Sequence, residues 1–185
     1  MKQSVSIAEA VEIKNNRVKS FIGERRYLAT GDLAGDEISD LVSVNYKTKP
    51  SRADLLVNIG DIIIARMQAT NKVLLIDKSA KDLIVSTGFL TLTPREGFDS
   101  RYLAHYFRSD LFQRQKDKYC SGATQKAINN GVFQKLQVPR YDFEEQKKVA
   151  KILDCADSLR QQRKRSLLFL NEVFPATFID MFGDP

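Results

Sequence analysis

Histidine, cysteine and tryptophan are nearly missing from this chain: its 185 residues include one histidine, two cysteines and no tryptophan. A structural zinc site takes four cysteine or histidine ligands. His105, Cys120 and Cys155 fall short of that set, so no metal centre is expected. The cysteines form no CxxC pair and read as free, buried thiols of a reducing compartment. A single histidine also leaves little from which to build a hydrolytic triad. Neither a GxGxxG stretch nor a P-loop is present, which excludes the ordinary nucleotide cradles. No Asn-Pro-Pro-Tyr-like stretch of an amino methyltransferase occurs. Neither Glu-x-Lys string, 12–14 or 145–147, has an upstream acidic residue in the strand context that a metal-dependent nuclease needs. No catalytic residue can be nominated, and a non-catalytic protein is expected. No apolar run approaches the roughly 18 residues that span a bilayer. The N-terminal stretch MKQSVSIAEAVEIKNN has no signal-peptide core. A cytoplasmic protein without membrane contact is expected.

What is present is charge, unevenly placed. Hydrophobic residues make up 43% and charged residues 28%, as in a soluble globular protein, and the net charge is +6. All of that excess sits in residues 101–140, where Arg101, Arg108, Arg114, Lys116, Lys118, Lys126, Lys135 and Arg140 face only Asp110 and Asp117. A concentrated basic segment is the footprint expected of a polyanion partner.

Periodicity predicts a mixed fold. Ser6 and Glu9 form a capping-box pattern that predicts a helix over 6–14. Residues 17–27 read as polar loop, 27–33 as a short strand and 41–46 as a half-buried strand. Three β-rich runs follow at 61–67, 72–77 and 83–93; the unbroken Ile62, Ile63, Ile64 suits a strand covered on both faces. Residues 99–118 read as one helix with Tyr102, Leu103, Tyr106, Phe107 and Leu111 on its apolar side. A loop at 121–131 and a strand at 132–138, closed by Pro139, come next. A helix then runs over 143–174, with Pro175 expected to end it.

That last helix carries two seven-residue registers. One is Val149, Ala156, Arg163, Leu170; the other is Ile152, Leu159, Ser166, Val173. Together they form an a/d seam, widened by Leu153, Leu167 and Phe174. A lone helix cannot bury such a seam, so the same helix from a second copy is the expected partner. The polar centre, RQQRKRS at 160–166, would then meet near the two-fold axis of an antiparallel pair.

The stretches GDIIIARM, SGATQKAINNGVFQKLQVP and EEQKKVAKILDCADSL, followed by FIDMFGDP, resemble the specificity subunit of Type I restriction–modification systems. The resemblance covers nearly the whole chain. One departure is visible: the family's proline-rich link before Glu-Gln is here PRYDFEEQ, with the single proline Pro139. Such subunits usually carry two target recognition domains and two long helices, so this chain resembles a half-size form. The resemblance implies an α+β fold: a recognition domain at 1–142, a spacer and dimerisation helix at 143–174 and a tail at 175–185. It also implies double-stranded DNA and a modification methyltransferase as partners, with a restriction nuclease subunit as a further one. S-adenosylmethionine would sit on the methyltransferase, and no cofactor on this chain.

The side chains suited to DNA lie in loops. Base reading in the major groove takes Arg or Lys for guanine and Asn or Gln for adenine. Thr124, Gln125, Lys126, Asn129 and Asn130 offer this chemistry in one loop; Arg66, Gln68, Asn71 and Lys72 offer it after the Ile62 run; Lys47, Lys49 and Arg52 flank Pro50 in a third. The competing expectation is a protein-interaction module that binds a restriction-complex component or a toxin without reading DNA.

Overall fold

A computed structural model describes residues 3–80 and 83–183. The chain divides into two compact units, Met1–Lys147 and Lys148–Pro185.

The first unit opens with β1 (Gln3–Ser6), α1 (Ile7–Ala10) and β2 (Val11–Lys14). The predicted capping contact is present, with the Ser6 N–H donating to Glu9 Oε1 at 3.0 Å. The helix nevertheless lasts one turn. Val11 is already extended, and β2 joins a sheet ladder from Val11 opposite Pro94 to Lys14 opposite Thr91. Pairing of the β-branched Val11 and Ile13 outweighs the local helix signal.

The strands that follow are β3 (Glu24–Leu28), β4 (Leu33–Ala34), β5 (Glu37–Ile38), β6 (Val42–Asn45), β7 (Ala53–Leu56), β8 (Ile62–Ala65), β9 (Val73–Leu75), β10 (Ile84–Ser86) and β11 (Phe89–Pro94). They build two four-stranded sheets and a small β4–β5 hairpin. The first sheet has the order β6-β3-β10-β7, parallel only between β3 and β10. The second, β2-β11-β8-β9, is antiparallel throughout. Leu28, Leu55 and Val85 of the first sheet share one core with Ile63, Ala65 and Phe89 of the second. Ile62 and Ile64 alternate to the other face of β8. All four residues of β8 are buried, as the unbroken apolar run predicts. The segment expected to be loop at 17–27 supplies β3, the second strand of its sheet, because Tyr27 and Leu28 are buried there despite Arg25 and Arg26.

The run at 83–93 is not one strand. It breaks at Thr87 and Gly88, and its halves join different sheets. Gly88 lets this corner close, since a Cβ there would stand 2.8 Å from Thr30 Cγ2. The predicted helix at 99–118 is likewise two: α2 (Ser100–Arg108) and α3 (Asp110–Lys118), separated by Ser109 in extended conformation. Asp99 caps α2 and Ser109 caps α3. The break brings the Phe107 and Phe112 rings to 4.8 Å, with Phe133 edge-on to Phe112 at 6.1 Å. It also turns Leu111, expected on the apolar side, out to solvent at 66% exposure.

After α3 come α4 (Asn130–Phe133) and β12 (Gln137–Arg140). The strand thus starts later than expected and contains Pro139 instead of stopping before it. Its one ladder is to β1, which leaves an open edge where a missing N–H is tolerated. Buried Gln146 then fixes the start of α5 (Phe143–Phe182), accepting from the Asp99 N–H and donating to the Gly97 and Tyr141 carbonyls.

α5 continues through Pro175 to Phe182, so the expected stop at 174 is corrected. Positions 175–182 of the stretch expected as a tail at 175–185 are therefore helix; Asp184, Pro185 and the Phe174 side chain lie outside the described residues. Within the second unit, Ile152 is 68%, Leu159 61%, Leu170 48% and Val173 37% exposed. Ala156, Arg163 and Ser166 are exposed too, and Val149 is half-buried. Among the described residues no helix is long and apolar enough to cross a membrane, and no cluster of His, Cys, Asp or Glu could hold a metal ion. Cys120 is half-buried rather than buried, and Cys155 is exposed.

Candidate nucleic-acid interface

Strand register gathers the candidate loops at one end of the two sheets. Ser86 at the end of β10 pairs with Ala53 at the start of β7, while Ala65 at the end of β8 pairs with Phe89 at the start of β11. The turns at 51–52, 66–72 and 87–88 therefore open in the same direction. Hydrogen bonds join them: the Thr87 N–H donates to the Arg52 carbonyl, and the Arg66 N–H to the Gly88 carbonyl.

The loop at 121–131 is bound to this end from the outside. Ala127 bridges Met67 on one side and Ser121 on the other. The Gln68 N–H donates to the Lys126 carbonyl at 2.9 Å, and the Ile128 N–H to the Arg66 carbonyl at 3.0 Å. Gln125 Nε2 donates to Met67 Sδ. Two segments some sixty residues apart thus form one surface, on which Gln68, Thr124, Gln125, Lys126, Asn129 and Asn130 are exposed.

The polar side chains differ in how they are held. Arg66 is half-buried; its Nε donates to the Phe89 carbonyl and its Nη1 to Asn130 Oδ1 at 2.6 Å. Burial pushes its guanidinium below the ordinary arginine range. Asn129 caps α4 through the Val132 N–H. Gln68 Nε2 donates to the Asp117 carbonyl, Asn71 Nδ2 to the Arg108 carbonyl and Lys72 Nζ to the Thr30 carbonyl at 2.6 Å. Arg52 is exposed beside Thr87. Lys47 and Lys49 follow β6, whose final residue Asn45 lies opposite Glu24 at the far end of the first sheet. Lys49 also turns inward, to the Ala53 carbonyl and to Asp54. The structure therefore brings together the first and second candidate groups and Arg52 of the third, but not Lys47 or Lys49.

Residues 2–168 match the family described as the Type I restriction modification DNA specificity domain. The chain belongs to that family. The Type I restriction enzyme MjaIX specificity subunit of Methanocaldococcus jannaschii is 24% identical over 102 residues, which are 55% of this chain and 24% of that subunit. The HsdS subunit from Thermoanaerobacter tengcongensis shares the fold at a TM-score of 0.72 and 20% identity, covering 99% of this chain and 50% of the other. The S subunit of a Type I restriction-modification system from M. genitalium does so at 0.62 and 16%, over 96% and 44%. The chain thus spans about half the length of these solved subunits.

This specificity domain holds its loops with a device not foreseen from the sequence. Lys116 on α3 is fully buried, and its Nζ donates to the carbonyls of Thr70 at 2.8 Å and Met67 at 3.2 Å. Asp117 stands 3.7 Å from the same ammonium and accepts the N–H of Ala69 through Oδ2. Ala69 has φ +54°, a conformation that a non-glycine residue keeps only when its surroundings impose it. One of the eight cations of the basic segment is therefore an internal clamp, not part of a solvated patch. The signal was available: Lys116 lies four residues after the buried Phe112, on the apolar side of its helix.

The outer loop depends on a glycine. Gly122 has φ +135°, and a Cβ there would stand 2.5 Å from the Gln125 carbonyl oxygen. Gly122→Ala is expected to destabilise this loop by more than about 1 kcal/mol. Hydrogen exchange should show it as lost protection at the Ala127 and Gln68 amides, with the sheet amides unchanged.

Proposed function

We propose that this chain is a non-catalytic, sequence-specific DNA recognition subunit of a Type I restriction–modification system. The observation that carries the reading is the composite surface at the end of the two sheets, where base-capable side chains of two distant segments are fixed side by side. Family membership supports it. Residues 1–142 read the DNA, and α5 acts as spacer and dimerisation helix through Val149, Ile152, Ala156, Leu159, Arg163, Ser166, Leu170 and Val173. Two copies pair antiparallel in the cytoplasm, so two identical readers face a split, palindromic site. A 40-residue helix is about 60 Å long, which sets the scale of that separation. A modification methyltransferase that carries S-adenosylmethionine is directed to the site, and a restriction nuclease subunit joins the same assembly. Lys126 and its exposed neighbours in the 121–131 loop contact bases; Arg52 serves the DNA backbone.

Binding to duplex DNA at a series of salt concentrations tests this. Log affinity should fall linearly with log salt, by about 0.9 for each phosphate neutralised. A selection from random duplexes should return one motif in two inverted halves. Salt-independent binding, or no binding to DNA, would favour the protein-interaction module instead.

A further inference from the structure

We infer that Arg66 and Asn130 act as one base-reading unit, in which the guanidinium orients the amide so that Asn130 reads an adenine. The inference rests on the DNA-recognition reading above and adds a base to it.

The two residues are 64 apart in sequence, and their side chains meet at 2.6 Å. A guanidinium only donates, so the Asn130 atom facing Nη1 is the carbonyl oxygen. The amide N–H2 is thereby turned away from the arginine. The guanidinium has a firm anchor of its own: Nε donates to the carbonyl of Phe89, a fully buried residue that starts β11. Both backbones are also tied. The Arg66 N–H donates to the Gly88 carbonyl and its carbonyl accepts from the Ile128 N–H, while the Asn130 carbonyl accepts from the Gln134 N–H.

What remains available on the exposed amide is two N–H donors and one lone pair of Oδ1. That pair of functions matches the major-groove edge of adenine, where N7 accepts and N6–H2 donates. Guanine offers two acceptors on the same edge, N7 and O6, and would set O6 against the amide oxygen. Neighbouring amides are committed differently. Gln68, Asn71 and Gln125 donate their amide nitrogens to protein, and Asn129 gives its oxygen to the α4 cap. Arg66 is accordingly a positioning residue and Asn130 the reader.

The test is selection of the intact chain, and of its variants, against a duplex DNA library randomised over the length of the site. Wild type should return a motif with an A·T pair preferred roughly ten- to a hundred-fold at the position Asn130 reads. Arg66→Met and Asn130→Ala should each make that one position degenerate and leave the others intact. The double variant should lose no more than either single one, since the two act on one contact. Asn130→Asp, an exposed change that keeps the acceptor for Arg66, should move the preference from adenine to cytosine, whose N4 donates. A motif unchanged in Arg66→Met, or variants that weaken every position equally, would overturn the inference and leave DNA recognition standing. A wild-type chain that returns no motif would overturn both.

Discussion

Lys116→Met is expected to lower the melting temperature of the recognition unit by roughly 5–10 °C. The substitution keeps the volume of a fully buried side chain but removes its three donors. The carbonyls of Met67 and Thr70 lose their partner, at about 1–3 kcal/mol each. For a unit of this size each kcal/mol is worth about 2–4 °C. The loss should be largest in the loop at 66–71, because the strained Ala69 is then held from the Asp117 side alone. A pH dependence separates this account from simple cavity effects. Burial holds the Lys116 ammonium below the ordinary lysine value of 10.5. Between its folded value and 10.5 the unfolded chain binds more protons, so this residue's contribution to stability rises as pH climbs through that window. The wild-type minus Lys116→Met difference in stability should therefore grow from neutral pH toward pH 10.5. A difference that shrinks or stays flat would mean that Lys116 is not held charged in a desolvated site. Taking the difference matters, because burial raises the Tyr102 and Tyr106 phenols in both proteins and acts in the opposite direction at high pH.

Where local pattern and tertiary context agree, the fold was legible. The Ile62–Ala65 strand announced its double burial by an unbroken apolar run, and the long helix α5 showed in the periodic spacing of its apolar residues. Errors came where long-range pairing overruled a local cue. The helix signal at Ser6 is real but stops when Val11 is drawn opposite Pro94. Arg25 and Arg26 disguised β3, whose burial comes from Tyr27 and Leu28 alone. Ser109 is neither Gly nor Pro, and its N-cap chemistry was hidden inside an otherwise continuous helical pattern, so the point where one helix becomes two went unread. The candidate loops could be named from residue type, but their assembly could not. The contacts of Arg66 with Asn130, and of Lys116 with Thr70, span 64 and 46 residues and leave no periodic trace. Lys116 was read as surface charge because a lysine is almost never fully buried.

In the proposed dimer, Ile152→Asp is expected to separate the two chains, whereas Leu159→Asp is expected to be tolerated far better. The reason is register. If two copies of the seam run antiparallel about an axis near position 161, a residue in one register faces a residue of the other. Val149 then meets Val173, Ile152 meets Leu170, Ala156 meets Ser166, and Leu159 meets Arg163. Every seam position finds a partner, and the four large apolar side chains at the two ends pair with one another. An aspartate at 152 faces Leu170 twice in the dimer, removing apolar burial worth about 1.5–3 kcal/mol per side chain and desolvating two charges. The dissociation constant should rise by at least about a thousand-fold, since each 1.4 kcal/mol is a factor of ten. An aspartate at 159 faces Arg163 instead and exchanges a mismatched pair for an ion pair. In a parallel dimer the difference vanishes, because Ile152 and Leu159 share one register and each would face its own copy, so that either pair of aspartates would repel. Arg163→Leu completes the set: it should tighten the antiparallel dimer by placing leucine against Leu159. Sedimentation of the four proteins across a range of concentrations, with circular dichroism to show that the recognition unit stays folded, decides the arrangement. Equal weakening by the two aspartates would rule out the antiparallel register, and a wild-type chain that is monomeric at micromolar concentration would rule out self-pairing altogether.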